Sequence, residues 1–260
     1  MSLLRRFATP IQIVMTLGLY VELSCIGGLA ATPGVYGALG VHRWLETQRA
    51  PEIVTIAGTC IAAALAYFSY TLLVILLVPM MRIVAPGTPE GRYPYYSFKA
   101  IQWASYNALI LLVRYTCINF MRVTPFINLF HRLMGMRLGE RVQINTAVIG
   151  DSNLIEIGDD TVIGGDVTLV AHAAERGQLV AERVKIGRNV TVGLMAVIFP
   201  GCEIGDGAVV AANAVLLKGT KIGPGEIWGG VPAKKIGQRG EKKSRPSEDL
   251  LRVRDHKGGG

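Results

Sequence analysis

Histidine and cysteine are scarce in this sequence, with four of each in 260 residues, and neither is clustered. Cys25, Cys60 and Cys117 lie in apolar segments and Cys202 in a repetitive stretch, with no CxxC spacing. Reduced structural thiols are therefore expected, with neither a disulfide framework nor a zinc knuckle. There is no GxSxG elbow, no Walker A glycine loop and no histidine followed by aspartate five places on. Serine-hydrolase, P-loop and glycerolipid-acyltransferase motifs are thereby missing. Charge is sparse as well, at 18% of residues, and Ile53 to Met81 has none.

That uncharged run, at about 1.5 Å of rise per helical residue, exceeds the roughly 30 Å hydrocarbon core of a bilayer and predicts a transmembrane helix. An earlier apolar run, Ile11 to Ala31, carries Glu22 and is followed by "TPG", Thr32 to Gly34, which predicts its end. It is long for the apolar region of a cleaved signal peptide, and a carboxylate suits a helix facing a partner better, so a second span is expected. Arg5 and Arg6 precede the pair, and Arg82, Arg92 and Lys99 follow it. The loop between balances Arg43 and Arg49 against Glu46 and Glu52. The positive-inside rule then puts both outer ends, and the rest of the chain, on the cytoplasmic side of the inner membrane.

A third run, about 100 to 121, has an apolar stretch too short to span, and aromatic and cationic residues before it in "RYPYYSFKAIQW". An interfacial helix is expected. Residues 1–122 thus form a membrane region. The surplus of basic over acidic residues, +8, fits orientation and adhesion to anionic lipid. Its dispersion, with no recognised nucleic-acid motif, argues against nucleic acid.

Residues 123–137 predict a connecting helix capped by Thr124, opened by Pro125 and ended at Gly135, with Phe126, Leu129, Phe130 and Leu133 on its apolar face. His131, beside that face, is expected at the surface or an interface. Beyond it, from 138 to 237, the period changes. Ile157, Ile163 and Leu169 are six apart, and so are Ile186, Val192, Ile198, Ile204, Val210, Leu216 and Ile222. Small residues recur at Ala196, Cys202, Ala208 and Ala214. Such hexapeptides predict a parallel β-helix, each giving a short strand and a turn, with the aliphatic residue inward. Leu138 and Ile144 start the rhythm, and a one-residue slip before Ile157 predicts an irregular first coil. The register breaks again in "LVAHAAERGQL", just after His172, and Ile186 restores it. The charged tail, 238–260, lacks the repeat and predicts disorder.

The closing coils, with "IGRNVTVGLMAVIFPGCEIGDGAVV" and "GGVPAK", resemble the hexapeptide-repeat acyltransferases, which include galactoside and maltose O-acetyltransferases. The resemblance implies a left-handed parallel β-helix after the membrane helices, a homotrimer, and a histidine at the cleft between subunits. "IEIGDDTVIGGDVTLVAH" matches the stretch leading to that histidine, which makes His172 the general base. The family's following proline is Ala173 here. The resemblance further implies coenzyme A as a donor substrate, with no permanently bound cofactor and no metal. Gly193 and Ala211 would line the pantetheine groove, Lys218 and Lys234 would meet the nucleotide phosphates, and backbone N–H groups near Gly193 would hold the oxyanion. Asn145, one place from a family asparagine, would hold the acceptor. A γ-class carbonic anhydrase, on the same fold, needs three zinc-binding histidines, and only His172 lies between Leu138 and Ile236.

The expectation is a membrane-anchored acyltransferase acting on a hydroxyl or amine of an envelope glycan precursor or lipid. Two alternatives stand beside it: an amide-forming module taking a carrier-bound aminoacyl donor, and a non-catalytic trimeric scaffold.

Overall fold

A computed structural model describes residues 8–240. The expectations for Arg5, Arg6 and nearly all of the charged tail lie outside the described residues. Two long helices come first, Ala8–Thr47 and Glu52–Met80. The first does not stop at Thr32 to Gly34 as its sequence suggests. A single proline removes one hydrogen bond from a helix of 40 residues. Gly34, for its part, lets the second helix come close: a Cβ there would lie 2.8 Å from Ala66 O. By length and composition, Gln12–Thr47 and Glu52–Ile83 are candidate membrane spans. Their outer faces expose Leu17, Val21, Leu29, Ile61, Leu65 and Leu72.

The third helix, Phe98–Val113, is capped by Ser97, whose Oγ accepts from Ala100 N at 3.3 Å. It runs on through a wider turn, Arg114–Ile118, into Asn119–Met121. Phe98 at its start and Leu111 and Tyr115 further on are exposed, while Tyr106, Leu109, Ile110 and Val113 are buried. It is tied on both sides. Tyr67 Oη, from the second long helix, donates to Thr116 O at 2.7 Å, and Tyr106 Oη donates to Met134 O at 2.5 Å. The helix thus joins the apolar pair to the remainder of the chain.

The connecting helix is Pro125–Leu133, and Gly135 follows it at φ +101°. Thr124 does not cap it; its hydroxyl donates to Met121 O instead. The buried face also differs from the expected one. Ile127, Phe130, His131 and Met134 are inside, whereas Phe126, Leu129 and Leu133 are exposed. Both sets have helical spacing, and the first coil together with the second long helix, Glu52–Met80, covers the first set. His131 is fully buried rather than superficial, its Nδ1 3.0 Å from Ser152 Oγ and its Nε2 without a hydrogen-bond partner among the described residues.

Burial pushes the His131 imidazole down from 6.5 to about 3. Its unfolded counterpart binds a proton as pH falls below 6.5 while the folded one stays neutral, so stability is lost with acid across that window. The slope is at most about 1.4 kcal/mol per pH unit. His131→Phe should flatten it, as read from thermal midpoints in detergent at pH 7, 6 and 5. Identical slopes for both proteins would refute a buried neutral His131.

From Arg137 the chain winds into a parallel β-helix of three stacked sheets. Val192 pairs with Val210, Ile198 with Leu216 and Ile204 with Ile222, each three hexapeptides on. All six are buried, and Ala196, Cys202, Ala208 and Ala214 fill the bends. The first coil is irregular, as expected. Leu138 pairs with Ile157 and Ile144 with Ile163, one residue beyond three hexapeptides, and Ile149 bridges Leu169 two beyond. The surplus is taken up by the turn Ser152–Leu154 and by Asp151 at φ +52°.

At the second break the chain leaves the coil as a hairpin. His172–Glu175 pairs antiparallel with Gln178–Ala181 through a turn with Arg176 at φ +46° and Gly177 at φ +79°. Strand Gly91–Pro94, which follows the long helices, adds to the hairpin's other edge. Val184 already rejoins the ladder opposite Ile155.

Candidate active site

The two register breaks meet. His172, the first residue of the hairpin, places Nδ1 2.5 Å from Asp151 Oδ2, which belongs to the irregular turn of the first coil. The Asp151 side chain is 1% exposed and that of His172 29%. Every oxygen of the carboxylate is served. Oδ2 also accepts from Ala171 N at 3.1 Å, and Oδ1 accepts from Trp103 Nε1 at 2.7 Å and Asn107 Nδ2 at 2.9 Å. Asn107 Oδ1 in turn accepts from Asp151 N at 3.1 Å. Trp103 also meets the imidazole edge-on, with ring centroids 4.6 Å apart.

Burial alone would raise the Asp151 pKa, but the hydrogen bonds from His172, Asn107 and Trp103 outweigh it and hold the carboxyl below its usual range. Asp151 is therefore an ion that accepts from every neighbour. It fixes the proton of His172 on Nδ1 and leaves the Nε2 lone pair at the exposed end of the ring. That arrangement can take a proton from a hydroxyl or amine.

The other expected residues are distributed along the coils. Gly193 and Ala211 are stacked in successive coils, and a Cβ on Gly193 would lie 2.4 Å from Ala212 N. Only glycine permits that approach. The Gly193 N–H donates to Val210 O at 2.7 Å and that of Ala211 to Trp228 O at 2.8 Å. Gly193's own N–H is thus engaged in the ladder, which leaves the expected oxyanion donor to another N–H near it. Lys218 is half-buried, with Nζ 2.8 Å from Glu175 and 3.1 Å from Glu182, both in or beside the hairpin. A phosphate there would share the ammonium with two carboxylates. Lys234 is exposed on the last strand, and Asn145 is exposed just after strand Gln143–Ile144, with no hydrogen bond to the His172 pair among the described residues.

Asp151, Trp103 and Asn107 carry roles that the hexapeptide rhythm does not announce. Two signals were present: polar Asp151 to Asn153 fall where the first coil slips, and Trp103 and Asn107 are four apart, on one side of a helix.

Residues 183–218 match the family described as hexapeptide repeat of succinyl-transferase. The chain carries a hexapeptide repeat. Among curated proteins, the repeat-bearing chain is 26% identical over 177 residues to delta-poly-L-ornithine synthetase of Acinetobacter baumannii strain AB307-0294, covering 68% of the chain and 13% of that protein. It is 31% identical over 107 residues to a Bacillus subtilis strain 168 protein named "Putative acetyltransferase YvoF", covering 38% of the chain and 62% of that protein. The chain therefore spans less than two thirds of both. Among solved structures, a maltose O-acetyltransferase from Clostridium difficile 630 aligns at 20% identity with a TM-score of 0.47, covering 58% of this chain and 94% of that one.

Proposed function

We propose that the protein is a membrane-anchored acyltransferase that moves an acetyl group from acetyl-CoA to a hydroxyl or amine of an acceptor held in or near the bilayer. The observation that carries this reading is the His172–Asp151 pair at the hairpin exit of a hexapeptide β-helix. His172 Nε2 takes the acceptor proton as the acceptor oxygen or nitrogen bonds to the thioester carbonyl carbon. The tetrahedral intermediate then expels the coenzyme A thiolate, which recovers the proton from the imidazolium. No acyl-enzyme forms. The acetyltransferase name of the Bacillus relative supports the reaction class.

The two apolar helices with lipid-compatible outer faces support the anchor. Their proposed orientation puts the β-helix in the cytoplasm of a cell with the protein in its inner membrane, where the donor is available. Gly193 and Ala211 would line the pantetheine path and Lys234 would meet the nucleotide phosphates. A left-handed coil and a homotrimer, whose neighbour would close the cleft at His172, belong to the same reading. The acceptor is an envelope glycan precursor or a lipid. Mass spectrometry of envelope glycans and lipids with and without the gene should show one acetylated species that disappears with it. Indistinguishable profiles would overturn the proposal.

The ornithine-polymer synthetase, matched over most of this chain, favours one second reading. In it the same base would deprotonate an amine attacking a carrier-bound aminoacyl thioester. Consumption of that donor, with acetyl-CoA inert, would select it.

A further inference from the structure

Two of the residues that hold Asp151 do not come from the β-helix. Trp103 and Asn107 belong to helix Phe98–Val113, which precedes the repeat and is fastened to the long apolar pair through Tyr67 and Thr116. Their donors converge on one oxygen, Oδ1, while His172 bonds the other, and Asn107 Oδ1 also accepts from the Asp151 backbone N–H. The strand Gly91–Pro94 extends the hairpin that bears His172. Both halves of the pair are therefore braced by the chain's apolar N-terminal region.

We infer that this region completes the active site, and that Trp103 and Asn107 are positioning residues for the Asp151–His172 pair. An aspartate at φ +52° in a surplus-residue turn has no regular ladder to fix its side chain. Its rotamer is set by what it accepts from. Two donors on Oδ1 orient the carboxylate so that Oδ2 faces Nδ1, and the Trp103 ring limits rotation of the imidazole. Without them the carboxylate can swing and water can reach the Nδ1 proton. The membrane region is then more than a tether. It keeps the base aimed.

The inference rests on the proposed catalytic role of His172, and its test is separable from it. Full-length protein carrying ¹⁵N-histidine in detergent micelles should show a downfield Nδ1–H resonance, assigned by its absence in His172→Ala. Gln102→Ala, a change on the same helix that removes a bond to Pro86 O in the preceding segment, should retain it. The Trp103→Phe/Asn107→Ala double variant should lose it to solvent exchange while still folded, and its thermal midpoint should fall because Asp151 Oδ1 and the Asp151 N–H lose their partners. That variant should also lose about 10-fold or more in kcat for transfer of labelled acetyl from acetyl-CoA into membranes, with KM for acetyl-CoA within about twofold. A double variant that keeps the resonance unshifted, or a wild-type protein without it, overturns the inference. Undiminished acetyl transfer by His172→Ala would instead remove the catalytic reading and leave the bracing role standing.

Discussion

His172→Ala is expected to lower acetyl transfer by about 10² to 10⁴, the usual contribution of a positioned general base. The loss should fall on kcat, because the ring stands at the pair rather than among the coils expected to carry coenzyme A. Structure should be little affected. The His172 side chain is 29% exposed and its one hydrogen bond is to Asp151, so truncation leaves no large cavity. An unchanged thermal midpoint together with lost turnover would separate the chemical role from a folding role. An undiminished kcat would mean that another group takes the proton.

Asp151→Asn should cost a similar factor, about 10² to 10⁴, for a different reason. The carboxylate accepts four hydrogen bonds, two on each oxygen. An amide accepts on one atom only. With the carbonyl toward Trp103 and Asn107, the NH₂ faces Ala171 N–H and the imidazole, so His172 must turn its Nδ1 into an acceptor and carry its proton on Nε2. The base is then in the wrong tautomer. With the amide reversed, two donors meet the Trp103 and Asn107 donors, and the carboxylate's replacement swings away. Both arrangements leave buried donors unpaired, each costing about 1 to 3 kcal/mol, so the thermal midpoint should fall as well. Asp151→Asn with wild-type kcat would show that Asp151 neither sets the tautomer nor stabilises the imidazolium.

The repetitive half of the fold was legible because a narrow coil tolerates few solutions. Each hexapeptide needs one aliphatic residue inside and a small residue at the bend, and Val192, Ala196, Ile198 and Cys202 state both needs in order. His172 was legible for the same reason: an even rhythm makes an interruption visible. Asp151 was not, since its role depends on a surplus residue in the first coil meeting a hairpin 21 residues later. Trp103 and Asn107 were harder still. Their i, i+4 spacing reads as one side of a membrane-surface helix, and only the packing of that helix against the coil shows what they touch. His131 illustrates a different limit. Two faces of the connecting helix had helical spacing, and tertiary packing chose the one carrying the histidine. The first helix passed Thr32 to Gly34 because its partner helix packs against Gly34, a contact that no local signal reports.

The central claim is that an acetyl group leaves coenzyme A and arrives on a membrane acceptor by way of His172. The most direct measurement incubates acetyl-labelled coenzyme A with membranes containing the wild-type protein or His172→Ala at equal abundance. Label is expected in a glycan or lipid of the wild-type membranes, with background label in the variant's. Equal incorporation in both, or none in either with the acceptor-bearing membranes present, would contradict the claim.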